Sequence, residues 1–497
     1  MNVNILNKNS LKYVIFSIYI ILLAIIISKH EPWFDEAQAW LLARDSNPVE
    51  LFIKYMRYEV HPDLWHLILM IPAKLHLPYI SLNIISGLIA AVSVFLFIKY
   101  SPFPYYIKML FPFSYYAFYQ YAVVSRSYVL FPLLLFLLAI IYKDRTKKIY
   151  LFTFLLCLLA NVSVHGVLIS FSFLSIYIFE VYKKWYCLDP SDKRKHIIAF
   201  IIYMAILALI IFEIWPPSDH LTLGKVHSLS IMLFPILGAI LLSDSLISNA
   251  AAILMSNNHL FMFDVISEVI SVIISLIFVF ISLKWFHARK LLLLYILPTI
   301  ALLLLFSIYV SPWHIGILLF IWFFVLWISF DTNDIKQEIR FENVKKLKKT
   351  VVIIIIIVLS VQIYWSVRTA YYDFNNNYSS SLSAAEYIKT NHLENKRIYI
   401  SAYYSIAILP YFDSNIFKNY NNGHKPAFLC WSTKNNIFHT EINSIIKENP
   451  DYILLNARTV KNMVEIPGYK AVAGFDGSIY WKDNKFGSIA SIFYKKE

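Results

Sequence analysis

Charged side chains are scarce in this chain of 497 residues: they make up only 15% of it, whereas hydrophobic residues make up 59%. A soluble protein of this length would hold two or three domains with well-charged surfaces. Instead, apolar runs of about 17–25 residues, the length that spans a bilayer, recur along the sequence. The composition therefore argues against an ordinary soluble protein and predicts an integral membrane protein.

Cysteines and nucleotide-binding patterns are also sparse. Cys157, Cys187 and Cys430 lie far apart, so we expect neither a disulfide framework nor a thiolate metal site. The sequence contains no HExxH, GxGxxG or P-loop pattern, which leaves zincin, dinucleotide-binding and ATPase functions without support. The first apolar run, at 13–28, lacks a small-residue cleavage signal, and we interpret it as a retained signal anchor.

Half of the 44 Lys and Arg residues fall in six clusters between apolar runs. The clusters are Lys8/Lys12, Lys99/Lys108, Lys143–Lys148, Lys183–Lys195, Lys284–Lys290 and Lys336–Lys349. Cytoplasmic loops of membrane proteins are enriched in these residues, so we place all six clusters inside. The net charge of +13 then reflects topology, and no nucleic-acid partner is expected because a basic and aromatic patch on one face is lacking.

Placing the clusters on one side means that the chain crosses the membrane an even number of times between any two of them. About eleven spans follow, as helices, because backbone in lipid must satisfy its own hydrogen bonds. They are expected at 11–28, 81–98, 197–214, 264–283 and 351–368, with two each in 109–142, 149–182 and 291–330. We interpret 64–78 and 229–254 as interfacial or re-entrant helices, and counting them gives up to thirteen.

The expected fold is therefore a polytopic α-helical membrane domain over residues 1–370, with a first outer loop at 29–80. Residues 371–497 form a more polar tail, with short apolar stretches at Arg397–Ser401 and Tyr452–Asn456 and helical patterns at Ser383–Thr390 and Thr440–Asn449. Pro450, Gly468, Gly474 and Gly477 predict turns. We expect a small α/β domain outside the cytoplasm.

The first outer loop begins with the adjacent carboxylates Asp35 and Glu36, directly after a span. Asp35 could simply cap the following amphipathic stretch. The functional alternative is a carboxylate that acts as a base on an acceptor or holds a cation, with a pKa tuned by partial desolvation. Further along the loop, His61 and Asp63 flank Pro62 before an apolar helix. That segment is either a proline-initiated interfacial helix or part of a substrate pocket.

Arg126 stands alone between two uncharged runs, at a predicted outer hairpin tip. Arginine is costly within a membrane and is often functional there. It either extends to lipid headgroups or grips a phosphate with its planar guanidinium. His165 and His314 lie at two other predicted outer tips, where they are either satisfied interfacial histidines or donors to a phosphate or a sugar hydroxyl.

All these residues fall on the outer face in a topology derived only from basic loops and apolar runs. Nucleotide sugars are absent from that face, so a group donor would arrive attached to a lipid.

At these residues the chain resembles the GT-C fold glycosyltransferases, especially the protein mannosyltransferase and aminoarabinose transferase branch (glycosyltransferase family 39-like). Trp33-Phe34-Asp35-Glu36-Ala37 is similar to the acidic motif of that family's first outer loop. His61-Pro62-Asp63-Leu64-Trp65 is similar to its His-Pro-Pro-Leu-Tyr segment, with Asp63 where proline is usual. Ser125-Arg126-Ser127-Tyr128-Val129-Leu130 is similar to its Ala-Arg-x-Tyr-x-Leu segment.

The resemblance implies a transferase that moves a hexose or pentose from a dolichyl- or undecaprenyl-phosphate donor to a lipid, glycan or protein acceptor, with inversion. Asp35 would be the catalytic base, assisted by Glu36, and Arg126 would bind the donor phosphate. His61 would help shape the acceptor or donor pocket, and we also expect Asp63, Tyr128, His165 and His314 to bind substrate. No particular cofactor is identified, although a divalent cation could bind beside the carboxylates. The protein would be a multi-pass protein of the cell membrane, with the site and the C-terminus outside the cytoplasm.

Two functions of other classes compete with this one. A flippase or transporter for lipid-linked glycans would show internal symmetry and charges along a path through the bilayer, whereas the spans here are poor in charge and no repeat is visible. A non-catalytic assembly protein would bind the glycolipid without turnover.

Overall fold

The computed structural model of the chain describes residues 8–221, 234–251, 262–331, 341–435, 437 and 441–497. Most of these residues are helical. Within the described ranges, eight helical stretches are long and apolar enough to cross a membrane. They are Ser10–Ile27, Ser81–Tyr100, Ser127–Asp144, Val164–Lys183, Pro190–Ile214, Val265–Ala288, Pro312–Asp331 and Asn343–Asn375.

Shorter helices connect and support these stretches. The apolar ones are Leu64–Lys74, Ile149–Ala160, Phe234–Leu246 and Leu292–Ile308. Segment 29–80 also holds helices Phe34–Asp45, Pro48–Glu50 and Met56–Glu59, and π-helical turns occur at Leu51–Tyr55 and Tyr115–Val123. Helix Tyr105–Leu110 precedes the second π-helical segment.

The helices differ in how much of their surface is covered. Pro312–Asp331 is 94% buried, whereas Ser10–Ile27 and Val265–Ala288 are each only 17% buried. Ile21, Val269 and Ile273 are among the apolar side chains that these two helices expose. Contiguous apolar surface of this kind is uncommon in water and suits contact with lipid. The membrane class is therefore consistent with the packing of the helices.

Each expected span falls on a helix wherever the structure describes its residues. In the predicted hairpins 109–142, 149–182 and 291–330, however, one of the two helices is too short or irregular to count among the eight long apolar stretches. The arm before Arg126 is broken because Pro112 lacks an amide hydrogen and interrupts the helical ladder. The helix Leu64–Lys74 has 11 residues and reaches only about 16 Å, which fits an interfacial helix. Parts of the 229–254 segment and of the Lys336–Lys349 cluster lie outside the described residues.

The tail contains a four-stranded sheet, as expected for a small α/β domain. Its strands are β1 (Ile398–Ile400), β2 (Tyr452–Ala457), β3 (Tyr469–Trp481) and β4 (Asn484–Lys496), in the order β1-β2-β4-β3. Strands β1 and β2 are parallel, and the other two pairs are antiparallel. Helices Ser381–Thr390 and Ile442–Lys447 lie where the sequence predicts them.

The prediction of turns at Gly474 and Gly477 is wrong, because both residues lie within β3. A Cβ atom on Gly477 would be 2.6 Å from the amide nitrogen of Ser380 and 2.8 Å from the carbonyl carbon of Ser379. Glycine is therefore needed at this position for a close backbone crossing. Gly468, which precedes β3, has a positive φ of 76° and does belong to a turn.

The hairpin formed by β3 and β4 inserts its tip into the helical domain. Lys482 at the tip is fully buried, and its Nζ lies 3.0 Å from Oδ2 of Asp244 in helix Phe234–Leu246. The same Nζ donates to the carbonyl oxygens of Asp244 and Ser248 and lies 4.1 Å from the ring centroid of Trp365. The tail is thus fastened to the helices by a buried ion pair.

A second set of contacts joins the tail to helix Phe34–Asp45 in segment 29–80. The side chain of Gln38 both donates to and accepts from the backbone of Leu429, at 2.7 and 2.8 Å. Asp45 accepts from the amide of Ala427 and pairs with Arg44, at 2.8 Å in each case. The helix that carries Asp35 and Glu36 is therefore held between the helical domain and the tail.

Candidate active site

Asp35 and Arg126, which are far apart in sequence, meet as an ion pair. Nη1 of Arg126 lies 2.9 Å from Oδ2 of Asp35. The side chains retain 17% and 27% of their exposure, respectively, so a ligand can reach both charged groups. Helix Phe34–Asp45 begins before Asp35, with Trp33 at the capping position. Asp35 is therefore not the helix cap that the sequence allowed, and its carboxylate faces the arginine instead.

Aromatic rings hold the guanidinium of Arg126 in place. Its Cζ lies 5.3 Å from the ring centroid of Tyr128 and 4.7 Å from that of Trp313, distances typical of cation–π contacts. Burial alone would lower the pKa of Arg126, but Asp35, Tyr128, Tyr309 and Glu36 together outweigh burial and raise the pKa. Arg126 is thus a fixed positive charge that is accessible from one side.

Glu36 has a different environment from its neighbour. It is completely buried, and its carboxylate accepts from the amide of Ser125 at 2.7 Å and from the amide of Trp33 at 3.0 Å. The contact with Trp33 satisfies a free amide at the start of the helix, the role of the acidic residue in a capping box. Glu36 therefore fixes the backbone on both sides of the ion pair.

Two residues missed in the sequence analysis complete this buried network. Nδ1 of His30 lies 2.7 Å from Oδ2 of Asp373, and Nε2 of His30 lies 3.3 Å from Oε1 of Glu36. Burial alone would lower the pKa of His30, but Asp373 and Glu36 raise it to about 10. Both residues occupy the outer ends of predicted spans, and that position was the only signal for them in the sequence.

Glu59 is a second carboxylate near Asp35, and no sequence pattern predicted a role for it. Its Oε1 accepts from Nε2 of Gln38 at 2.8 Å. Burial raises the pKa of Glu59 to about 7, and the charge of Asp35 adds to the increase. The candidate site therefore contains one carboxylate paired with arginine and another that takes up a proton near neutral pH.

His61 lies close enough to Arg126 for the positive charge of the guanidinium to act on its imidazole. Burial and the charge of Arg126 lower its pKa to about 4, so the imidazole is neutral at physiological pH. Its Nδ1 has no hydrogen-bond partner among the described residues. The ring is therefore able to donate to or accept from a ligand, depending on its tautomer.

Tyr128, His165 and His314 form a buried cluster behind Arg126. The ring centroids of His165 and His314 are 4.5 Å apart, and that of Tyr128 is 5.5 Å from His314. Nδ1 of His314 accepts from the amide of Ser311 at 3.0 Å, and Nδ1 of His165 lies 3.3 Å from Oγ of Ser163. The structure thus brings together the hairpin tips that the topology placed on one face.

Asp63 is buried at the start of helix Leu64–Lys74, apart from the ion pair. Burial raises its pKa, and its carboxyl interacts with Asn161 and with the charge of Glu213. No described contact joins it to Asp35 or Arg126. Its substrate-binding role is thus the least supported of the set.

In the described part of the chain, no three His, Cys, Asp or Glu side chains are grouped so that they could hold a divalent cation. The carboxylates of Glu36 and Glu59 are instead engaged in the hydrogen bonds described above.

Taken together, these residues provide an accessible carboxylate, an arginine held by aromatic rings, and the neutral imidazole of His61. A carboxylate can accept a proton, and an arginine can hold a phosphate through its planar fork. Comparisons with protein-family models, with curated proteins and with solved structures find no match for this chain. The functional interpretation therefore depends on this geometry and on the three short segments that resemble the GT-C enzymes.

Proposed function

We propose that this chain is an integral membrane glycosyltransferase that moves a sugar from a polyprenyl-phosphate donor to a lipid, glycan or protein acceptor on the non-cytoplasmic face. The observation that supports it most is the accessible pair of Asp35 and Arg126. One group is suited to take a proton and the other to hold a phosphate, and they are adjacent. The positions of the basic clusters along the sequence support the outer face.

In this mechanism Arg126 binds the donor phosphate, and Asp35 hydrogen-bonds to the acceptor hydroxyl or amine. A bond forms between the acceptor atom and the anomeric carbon while the bond from that carbon to the phosphate oxygen breaks. The electron pair of the broken bond passes to the phosphate, where Arg126 stabilises the added charge. The acceptor proton passes to Asp35. Attack opposite to the leaving group inverts the anomeric configuration.

The ion pair itself provides the binding surface for the phosphate. A guanidinium carries five N–H donors, and the contact with Asp35 uses only part of them. Tyr128 and Trp313 hold its plane, which reduces the entropy lost when the phosphate binds. Neutral His61 adds a hydrogen-bonding group without adding charge.

Purified protein tests the proposal directly. Prenyl-phosphate glucose, mannose, galactose and arabinose would be supplied with candidate acceptors, and release of prenyl phosphate would be followed by mass spectrometry. We expect turnover with at least one donor. The turnover rate should fall by about 100-fold or more in Asp35→Asn and in Arg126→Ala, the size of effect seen when other enzymes lose a group that stabilises charge in the transition state.

The matched control is Asp45→Asn. It removes the charge of a carboxylate that lies in the same helix, away from the site, and that pairs with Arg44 at 2.8 Å, close to the 2.9 Å of the Asp35–Arg126 contact. It should fold less stably and retain turnover per folded molecule. Equal turnover in wild type and Asp35→Asn would refute the catalytic role. Donor binding with no turnover in wild type would instead favour an assembly protein, and donor translocation would favour a flippase.

A further inference from the structure

Glu36 links the backbones of the two segments that carry the ion pair. It is adjacent in sequence to Asp35, and it accepts from the amide of Ser125, which is adjacent to Arg126. Its other oxygen fixes the amide of Trp33 at the start of the Asp35 helix. The relative placement of Asp35 and Arg126 therefore depends on where the Glu36 carboxylate is held.

The position of Glu36 depends in turn on charges contributed from a distant part of the chain. His30 lies between Glu36 and Asp373, with all three side chains at 0–1% exposure. Asp373 also accepts from the hydroxyl of Tyr119 at 2.9 Å. Since unpaired charges are strongly disfavoured in a buried site, each carboxylate requires the imidazolium between them.

We propose that His30 and Asp373 are positioning residues that set the geometry of the Asp35–Arg126 pair by holding Glu36 against the amide of Ser125. The inference depends on the proposed transferase function. Neither residue touches the donor or the acceptor in this account. They act through Glu36 and connect the start of the first outer loop to the end of helix Phe341–Asn375.

The most informative variant is Asp373→Asn. It retains an oxygen that can accept from Nδ1 of His30, but it removes the negative charge that contributes most to keeping His30 protonated. The other groups that face His30 are Glu36, Glu31 and the ring of Tyr378, whose centroid is 4.7 Å away. As the pH rises, His30 in this variant loses its proton earlier than in wild type, and Glu36 is then left without a cation.

The experiment compares kcat of wild type, Asp373→Asn and the control Asp45→Asn between pH 6 and 9, using the prenyl-phosphate sugar that wild type turns over. We expect kcat of Asp373→Asn to fall by about 10- to 100-fold, because small displacements of reacting groups have effects of this size. The ratio of kcat in Asp373→Asn to kcat in wild type should decrease further as pH rises. Asp45→Asn, also a buried and paired carboxylate, should show a ratio near one at every pH.

A purely structural role for His30 and Asp373 predicts less folded protein, with a kcat ratio that does not change with pH. That outcome would overturn the inference while leaving the transferase proposal intact. If wild type turns over no donor, the transferase proposal fails, and the geometry is tested by a cryo-EM structure of Asp373→Asn at pH 9. The inference then predicts separation of Asp35 Oδ2 and Arg126 Nη1 beyond their 2.9 Å contact, and an unchanged contact contradicts it.

Discussion

Replacing Lys482 by methionine should detach the tail hairpin from the helical domain. Lys482 and Asp244 are both fully buried, and Nζ makes hydrogen bonds to Asp244 Oδ2, Asp244 O and Ser248 O at 3.0, 2.9 and 2.5 Å. Methionine fills a similar volume but leaves the carboxylate without a cation. Removing one partner of a buried ion pair costs about 3–5 kcal/mol, which reduces the docking equilibrium by more than about 100-fold.

Hydrogen–deuterium exchange over residues 469–496 measures this loss. Exchange should become faster in Lys482→Met and remain at the wild-type rate in Lys485→Met, which changes an exposed lysine of the same hairpin. The double variant Lys482→Met with Asp244→Asn buries no charge and should recover much of the protection. If Lys482→Met exchanges like wild type, or if the double variant is as unprotected as the single one, the ion pair does not hold the tail.

Three further predictions concern Glu59, Gly477 and Arg126. Burial raises the pKa of Glu59 from 4.5 to about 7, so its contribution to stability is present below pH 4.5 and is lost as pH rises through 7. The unfolding temperature of Glu59→Gln should therefore depend less on pH between 5 and 8 than that of wild type. An equal pH dependence in the two proteins would contradict this. Gly477→Ala should destabilise by about 1–3 kcal/mol through its clash with Ser380, whereas Gly487→Ala, which has nothing within 4 Å, should be tolerated in the same denaturation assay. Arg126→Lys keeps the positive charge but loses the planar guanidinium. The KM for the donor should therefore rise by about tenfold, or 1.4 kcal/mol. A wild-type KM would show that the charge alone is enough to bind the donor phosphate.

The helices and the outer-loop site were predictable because both depend on simple patterns. Apolar length located the helices, and the spacing of basic clusters grouped Asp35, Arg126, His165 and His314 on one face. The structure brings Asp35 and Arg126 into contact and packs His165 against His314. These contacts join segments that lie between predicted spans, so the predicted grouping of those segments was enough to suggest them.

The supporting residues were not predictable, because their partners come from distant segments. Nothing near His30 in the sequence indicates that Asp373, 343 residues away, will share its proton. The roles of Asp35 and Glu36 also could not be separated beforehand, since adjacent residues in a helix point in different directions. Only the packing reveals that Glu36 faces Ser125 and that Asp35 faces Arg126.

The long hairpin of the tail escaped prediction for a related reason. Gly474 and Gly477 suggested turns, but the backbone crossing at Ser379–Ser380 requires a residue without a side chain. Lys482 also resembled an ordinary surface lysine, because its partner Asp244 lies in a separate apolar helix.

Mass spectrometry of glycolipids and glycans, in cells that lack this protein and in cells that carry Asp35→Asn, decides whether the chain is a glycosyltransferase that uses Asp35. If it is, both kinds of cell accumulate the same polyprenyl-phosphate sugar and lose the same glycan modification, and the accumulated sugar identifies the substrate. If the deletion changes these pools while Asp35→Asn resembles wild type, Asp35 is not a catalytic base and the transferase account is contradicted.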